Sequence, residues 1–308
     1  MVLEYFKVIL SYMVLLVMVL VSVAFVTLME QKILAGSQIR VGPNYVGAWG
    51  MLQPFSDAVK LFTKEGLILS KSNFLVYWVS PIIGLGLALF LWAVFPFLEG
   101  GIEFSYGLLF FICVSGLSVF PILGSGWSSN CKYSMLGSLR SVAQMVSYEI
   151  SLAMIILSLV WLSGSFNLKD IVLSQVYLWN LIVFFPLSLI WFAASLAETN
   201  RSPYDFSEGE SELVSGFNTE YSAGGFVLIF MSEYANILFM GLLFVVFFLG
   251  AWMSLILVLK MMTIVYFFVW VRATMPRYRY DKLMYLAWKG FLPISLMIFI
   301  FYVYVLIL

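Results

Sequence analysis

Histidine is missing from this chain of 308 residues, cysteine occurs only twice, and charged residues make up just 10% of it. Without histidine, a histidine-ligated haem is excluded. With Cys113 and Cys131 as the only thiols, the chain lacks the ligands for a zinc site or an iron–sulfur cluster of its own. Any redox cofactor is therefore expected to be diffusible or to belong to a partner. The scarcity of charge excludes a soluble fold, whose water-facing surface needs far more of it. Cys113 lies inside an apolar run and reads as a small buried hydrophobe.

What is present is apolar. Hydrophobic residues make up 63% of the chain. Runs of about 20 of them recur, each enough to cross a hydrocarbon core of about 30 Å. Barrel strands would be about 10 residues long and alternating, a pattern not seen here. The expected fold is an all-α, polytopic transmembrane bundle forming a single integral membrane domain. Its spans fall at approximately 8–29, 74–95, 104–124, 141–163, 175–195, 222–249, 254–272 and 286–307. The stretch 222–272 would be about 75 Å long as one helix, so a break is placed near Gly250 to Met253. The first apolar run is too long for a cleavable signal, and it reads as a membrane helix that stays.

Orientation follows from lysine and arginine. With eight spans, all 16 of these cations except Lys7, Lys169 and Lys260 lie at one end of the bundle. The positive-inside rule makes that end the inner one, with both termini outside. Lys260 sits near the outer end of its span and is expected to snorkel.

Residues 30–73 form the longest polar segment. After the turn signal Gly42-Pro43-Asn44, Trp49, Leu52, Phe55, Val59 and Phe62 recur at helical spacing. An amphipathic helix lying in the interface is expected, acting either as a surface anchor or as a lid over an opening into the bilayer. In the lid reading, Arg40 and Asp57 are its polar contacts.

Two features point to chemistry. Residues 196–222 carry six carboxylates, Glu198, Asp205, Glu208, Glu210, Glu212 and Glu220, against the single cation Arg201. This loop separates two long apolar runs. Glu149 lies about 13 Å beyond Arg140 along its helix, and Glu233 lies at a similar depth. Charged groups at such depth face the bundle interior, a partner or water. Asn236 shares the face of Glu233. Burial raises the proton affinity of carboxyl groups in general, which suits a proton relay. The alternative is a pair of neutral glutamates locking helices together. Tyr148 and Tyr234 adjoin the two glutamates at about 100° around their helices, and can reach functional groups only on neighbouring helices.

The segment LAETNRSPYDFSEGESELVSGFNTEYS resembles the diagnostic loop of the chain 1 family of NADH–ubiquinone oxidoreductase, the heel subunits of respiratory complex I. Gln38-Ile39-Arg40, Gln53-Pro54-Phe55, RSVAQMVSYEISLA at 140–153 and RATMPRYRYDKLMYLAWK at 272–289 resemble the same family. The resemblance runs the length of the chain. It implies a core membrane subunit of a proton-pumping NADH:ubiquinone reductase, with ubiquinone as substrate and no redox centre of its own. FMN and iron–sulfur clusters would sit on partner subunits of the hydrophilic arm, and adjacent membrane-arm subunits would be further partners. It implies a quinone tunnel approached by Arg40, Asp57 and Phe230. It also implies a proton path through Glu149, Glu198, Asp205, Glu208, Glu210, Glu212 and Glu233. Gln31 and Val41 depart from the family's usual cations. The expected location is the mitochondrial inner membrane, with loops 1–2, 3–4, 5–6 and 7–8 in the matrix. A stand-alone cation-coupled transporter and a purely structural anchor are the alternatives from residue chemistry alone.

Overall fold

The structure is a computed structural model that describes residues 2–67, 70–97, 101–206, 209, 214–250 and 254–307. Among the described residues it is helical, with no strand. Seven of its helices are long and apolar enough to cross a membrane.

Helix α1 (Val2–Ser37) has 36 residues and exceeds the expected 8–29 at both ends. At about 54 Å it is longer than a hydrocarbon core of about 30 Å. Its polar extension contains Glu30, Gln31, Lys32, Leu34 and Ala35, all good helix formers, so the helix does not stop at the membrane boundary. Helix α2 (Gln53–Thr63) is the amphipathic helix of the first loop. It begins at Gln53, with Pro54 in its first turn, where the missing N–H does no harm. Trp49 therefore lies outside the helix, contrary to the expected stripe. It sits in a short turn, Ala48–Gly50, with a positive φ of 58°. Gly50 ends that turn at φ 75°, and a Cβ there would strike the Pro43 carbonyl.

The second span is α3 (Phe74–Leu91). The third is α4 (Gly107–Leu117) running on into α5 (Val119–Ser128). The fourth, α6 (Lys132–Ser163), starts nine residues before the expected 141, and Gly164 closes it in the left-handed conformation. Helix α7 (Leu168–Ser174) is short. The expected span 175–195 is not one helix. It is α8 (Asn180–Val183) and α9 (Phe185–Glu198), separated at Phe184. Pro186 accounts for the break, because its ring clashes with a helical carbonyl four residues back.

Helix α10 (Ala223–Phe244) ends in a π-helical turn, Val245–Leu249, and the chain turns at Gly250 with φ 48°. The remainder of the expected break, 251–253, lies outside the described residues. Helix α11 (Ser254–Thr274) follows. The last span joins α12 (Tyr280–Tyr285) through a π-helical turn to α13 (Leu292–Ile307). Helix α10 is the most enclosed span and packs on α3, α11 and α1. Cys113, expected to be buried, is exposed on α4, on a surface apolar enough to face lipid.

Contacts at the two ends of the bundle show how the chain crosses it. At one end, Asn130 Nδ2 donates to the Lys71 carbonyl (3.2 Å), Leu67 N donates to Ser222 Oγ (2.9 Å), and Tyr278 N donates to the Pro203 carbonyl (3.1 Å). Loops 1–2, 3–4, 5–6 and 7–8 thus meet. At the other end, Lys169 pairs with Glu103 at 3.1 Å. There the carbonyls freed by the π turn are satisfied by side chains. Gln175 donates to Val246 (2.8 Å), Asn180 to Phe247 (3.1 Å), and Lys260 to Leu249 and Gly250 (2.8 and 2.6 Å). The partly buried Lys260 side chain thus reaches back to the turn at this end of the bundle, as expected of a snorkelling residue, and two carbonyls hold its ammonium there. The pair α8–α9 runs between the two ends, but Phe185–Glu198 is shorter than the seven helices long enough to cross a membrane.

Helices α5 and α6 pack through small residues, which lets their backbones approach closely. A Cβ on Gly126 would collide with Ser138 Oγ and lie 2.8 Å from the Ser134 carbonyl oxygen. Gly86 in α3 has open space around it. Gly126→Val is expected to lower the thermal midpoint of the detergent-extracted protein, with an overpacking loss of about 1–3 kcal/mol. Gly86→Ala should leave the midpoint unchanged or slightly higher.

Candidate functional site

The described part of the acidic loop after α9, through Phe206, is folded down onto α6. Gln144, fully buried, donates from one amide nitrogen to the carbonyls of Ala197 and Tyr204, each at 2.8 Å. Tyr148 donates to the Leu283 carbonyl (3.2 Å), and its ring lies 6.3 Å from that of Tyr204. Burial, and then the neighbouring Tyr278, push the Tyr204 phenol up to about 12, so it stays neutral. Asp205, also buried, lies 3.5 Å from the Arg277 guanidinium in loop 7–8. At the other edge of the loop, Tyr221 stacks on Tyr77 at 4.3 Å and donates to the Tyr77 carbonyl.

Beneath this loop lies a cavity of about 60 Å³ with both polar and apolar walls. Glu198, Asn200, Ser118, Ser232, Glu233 and Asn236 are among its walls. Glu198 is 7% exposed, and its Oε2 has no hydrogen-bond partner among the described residues. The same holds for Asn200 Oδ1 and Asn236 Oδ1. Buried polar atoms of this kind are normally satisfied by water, and one water needs only about 10–15 Å³ of such space. Glu149, half-buried on α6, is near enough to Glu198 for the charge of one to act on the other. Its Oε1 lies 2.9 Å from where a Cβ on Gly116 would be, so a side chain on α4 would displace that carboxylate.

A smaller cavity of about 20 Å³ lies between α1, α9, α10 and α11. Glu30 of α1 accepts a hydrogen bond from the Tyr234 hydroxyl and pairs with Arg272 of α11. Arg201 lies over the Tyr234 ring, 4.4 Å from its centroid, and its Nη2 is 3.4 Å from Glu233 Oε2. Charges therefore alternate from Arg272 through Glu30 and Arg201 to Glu233, which also lines the first cavity. Tyr234 and Tyr148 both act through neighbouring elements, as their positions beside the glutamates required.

Of the expected site residues, Glu198 and Glu233 line one cavity, Glu149 lies within electrostatic reach of Glu198, and Asp205 is held at the loop's face toward Arg277. Glu208, Glu210 and Glu212 lie outside the described residues. Arg40 follows the end of α1 and is exposed. Asp57 accepts a hydrogen bond from Gln53 (3.0 Å) on the same helix. Phe230 packs on Phe226 with ring centroids 4.3 Å apart on α10. Helix α2 packs against both α1 and α10, with Phe55 edge-on to Phe25 at 6.0 Å.

A family model described as NADH dehydrogenase matches residues 10–303. NADH-ubiquinone oxidoreductase chain 1 of Aedes aegypti is 53% identical over 301 residues, covering 97% of this chain and 96% of the relative. The same-named protein of Locusta migratoria is also 53% identical with the same coverage. That of Phascolarctos cinereus is 48% identical, covering 92% of each chain. The chain belongs to the NADH-ubiquinone oxidoreductase chain 1 family.

Four residues important to this geometry were not read as site residues from the sequence: Glu30, Arg201, Tyr234 and Arg272. Glu30 carried one usable signal, a carboxylate directly at the end of an apolar run. Its pairing with Arg272, across 242 positions, carried none.

Removing one partner of a buried ion pair costs about 3–5 kcal/mol, because the other charge is left uncompensated. Arg201→Gln is expected to lower the thermal midpoint of the extracted protein clearly. Arg201→Lys should recover part of the loss, since an ammonium keeps the charge but not the flat stacking surface. Equal stability of all three proteins would show that the contact with Glu233 carries no net energy.

Proposed function

We propose that this chain is the membrane subunit of a mitochondrial NADH:ubiquinone oxidoreductase that admits quinone and couples its reduction to proton translocation. The observation that carries the reading is the shared cavity between Glu198 and Glu233, linked through Glu233 to the Arg201, Tyr234, Glu30 and Arg272 cluster. The relatives' names supply the substrate, ubiquinone. NADH oxidation, FMN and iron–sulfur clusters belong, in this reading, to partner subunits of the hydrophilic arm. Adjacent membrane-arm subunits receive the coupling.

The quinone reaches the protein from the bilayer beside α2, with Arg40, Asp57 and Phe230 along its approach. The packing of α2 across α1 and α10 supports that route, because the charged cluster lies between the same two helices. Reduction adds two electrons and two protons to the quinone. A charge gained or lost near Glu30 or Arg201 acts on Glu233. At an effective dielectric constant of 20, two unit charges 4 Å apart interact by about 4 kcal/mol. That is enough to change which carboxyl group holds a proton. The cavity offers a few waters a path from Glu233 to Glu198, and Glu149 lies next. Glu208, Glu210, Glu212 and Asp205 make up the loop side of the path. The end where loops 1–2, 3–4, 5–6 and 7–8 meet faces the matrix, since it carries nearly all of the cations.

Glu149→Gln and Glu233→Gln keep shape and remove the titratable group. Each is expected to reduce protons pumped per electron. Assembly is largely retained in Glu149→Gln, whereas Glu233→Gln also removes the carboxylate facing the Arg201 charge and lowers the yield of complex, so its stoichiometry is read per assembled complex. Normal pumping stoichiometry in either variant would reject that residue's part in the relay. Loss of the assembled complex would instead assign it to helix locking.

A further inference from the structure

At the outer end of the bundle, away from the acidic loop, an open groove of about 610 Å³ runs along α1. Its volume falls within the range of about 300–1,000 Å³ typical of small-molecule sites. Val14, Met18, Trp92, Phe95, Leu257 and Met261 form its walls, from α1, α11 and the segment after α3. Two serines also line it, but their hydroxyls are spent on their own helix: Ser11 donates to the Val8 carbonyl and Ser22 to the Val19 carbonyl. The charged group among its walls is Lys7, at the groove's mouth.

Lys7 is set apart from the other two outer cations. Lys169 pairs with Glu103, and Lys260 donates to two backbone carbonyls. Lys7 has no ion-pair or hydrogen-bond partner among the described residues, and it is exposed. From Lys7 to Ser22 the groove follows α1 for about 22 Å. That is longer than half of a hydrocarbon core of about 30 Å, so it spans one leaflet. A transmembrane helix of that length and about 10 Å diameter would fill about 1,700 Å³, far more than the groove holds. The groove therefore fits a single extended chain with an anionic head.

We propose that this groove binds an anionic phospholipid of the outer leaflet, its phosphate on the Lys7 ammonium and one acyl chain lying between α1 and α11. The cation sits at headgroup depth, and the slot below it presents mainly apolar walls, with the buried Trp92 indole N–H as an unpartnered donor among them. A neutral or zwitterionic lipid gains the same apolar contact but no net attraction at Lys7. One basic residue near an anionic headgroup is worth a preference of about fivefold.

The test uses the intact complex reconstituted in phosphatidylcholine vesicles carrying a trace of phosphatidylglycerol with a photoreactive acyl chain. Adducts mapping to residues 10–22 or 257–261, displaced by unlabelled phosphatidylglycerol and reduced about fivefold in Lys7→Gln but not in Lys7→Arg, are the expected result. Equal labelling by photoreactive phosphatidylcholine would overturn the proposal. So would displacement by ubiquinone, or the absence of adducts because a neighbouring subunit covers the groove. Should Lys7→Gln fail to assemble, the competition between the two lipids on the unaltered complex decides the matter.

Discussion

The Arg201 guanidinium lies between the Glu233 carboxylate and the face of Tyr234, and the polar interior of this bundle depends on that placement. An isolated carboxylate at the depth of Glu233 is strongly disfavoured in a bundle surrounded by lipid. Arg201 supplies the opposite charge from a loop that must first be drawn into the protein. Gln144 and the aromatic set Tyr148, Tyr204 and Tyr278 hold that loop down. Tyr234 then passes the connection to Glu30 and so to Arg272. Four separate parts of the chain, α1, loop 5–6, α10 and α11, are tied together by charges that none of them could bury alone.

The same logic divides the molecule into two ends with different chemistry. At the end where the four loops meet, Arg272 pairs with Glu30, Arg201 with Glu233 and Arg277 with Asp205, and Glu198 lines a small hydratable cavity beside them. At the outer end, polar side chains serve the backbone: Gln175, Asn180 and Lys260 satisfy carbonyls that the π turn of α10 has released. Such satisfaction is obligatory where no bulk water reaches the chain. The inner end keeps oxygen atoms of Glu198, Asn200 and Asn236 directed toward a shared space.

Much of this was legible in the sequence, for identifiable reasons. Span positions follow from apolar run length. The depth of Glu149 and Glu233 follows from helical rise, and the common face of Glu233 and Asn236 from helical spacing. That loops 1–2, 3–4, 5–6 and 7–8 share one end follows from the span count, and the contacts among them agree with it. What was not legible depended on tertiary contact or local geometry. Arg201 looked like a lone cation among carboxylates, because its partner lies 32 positions away. The division of the fifth span needed the clash at Pro186. The start of α2 at Gln53 was obscured by Trp49 and Leu52, whose spacing continues the apolar stripe into a turn. The acceptors of Lys260 are the Leu249 and Gly250 carbonyls, which no sequence pattern marks.

The central claim is that Glu198 changes its proton occupancy when quinone is reduced nearby. Infrared difference spectroscopy on the intact complex, recorded between oxidised and reduced quinone, tests this most directly. The account predicts a carboxylic-acid carbonyl band in the difference spectrum that shifts in deuterium oxide and disappears in Glu198→Gln. A difference spectrum whose carboxyl bands all persist in that variant would contradict it.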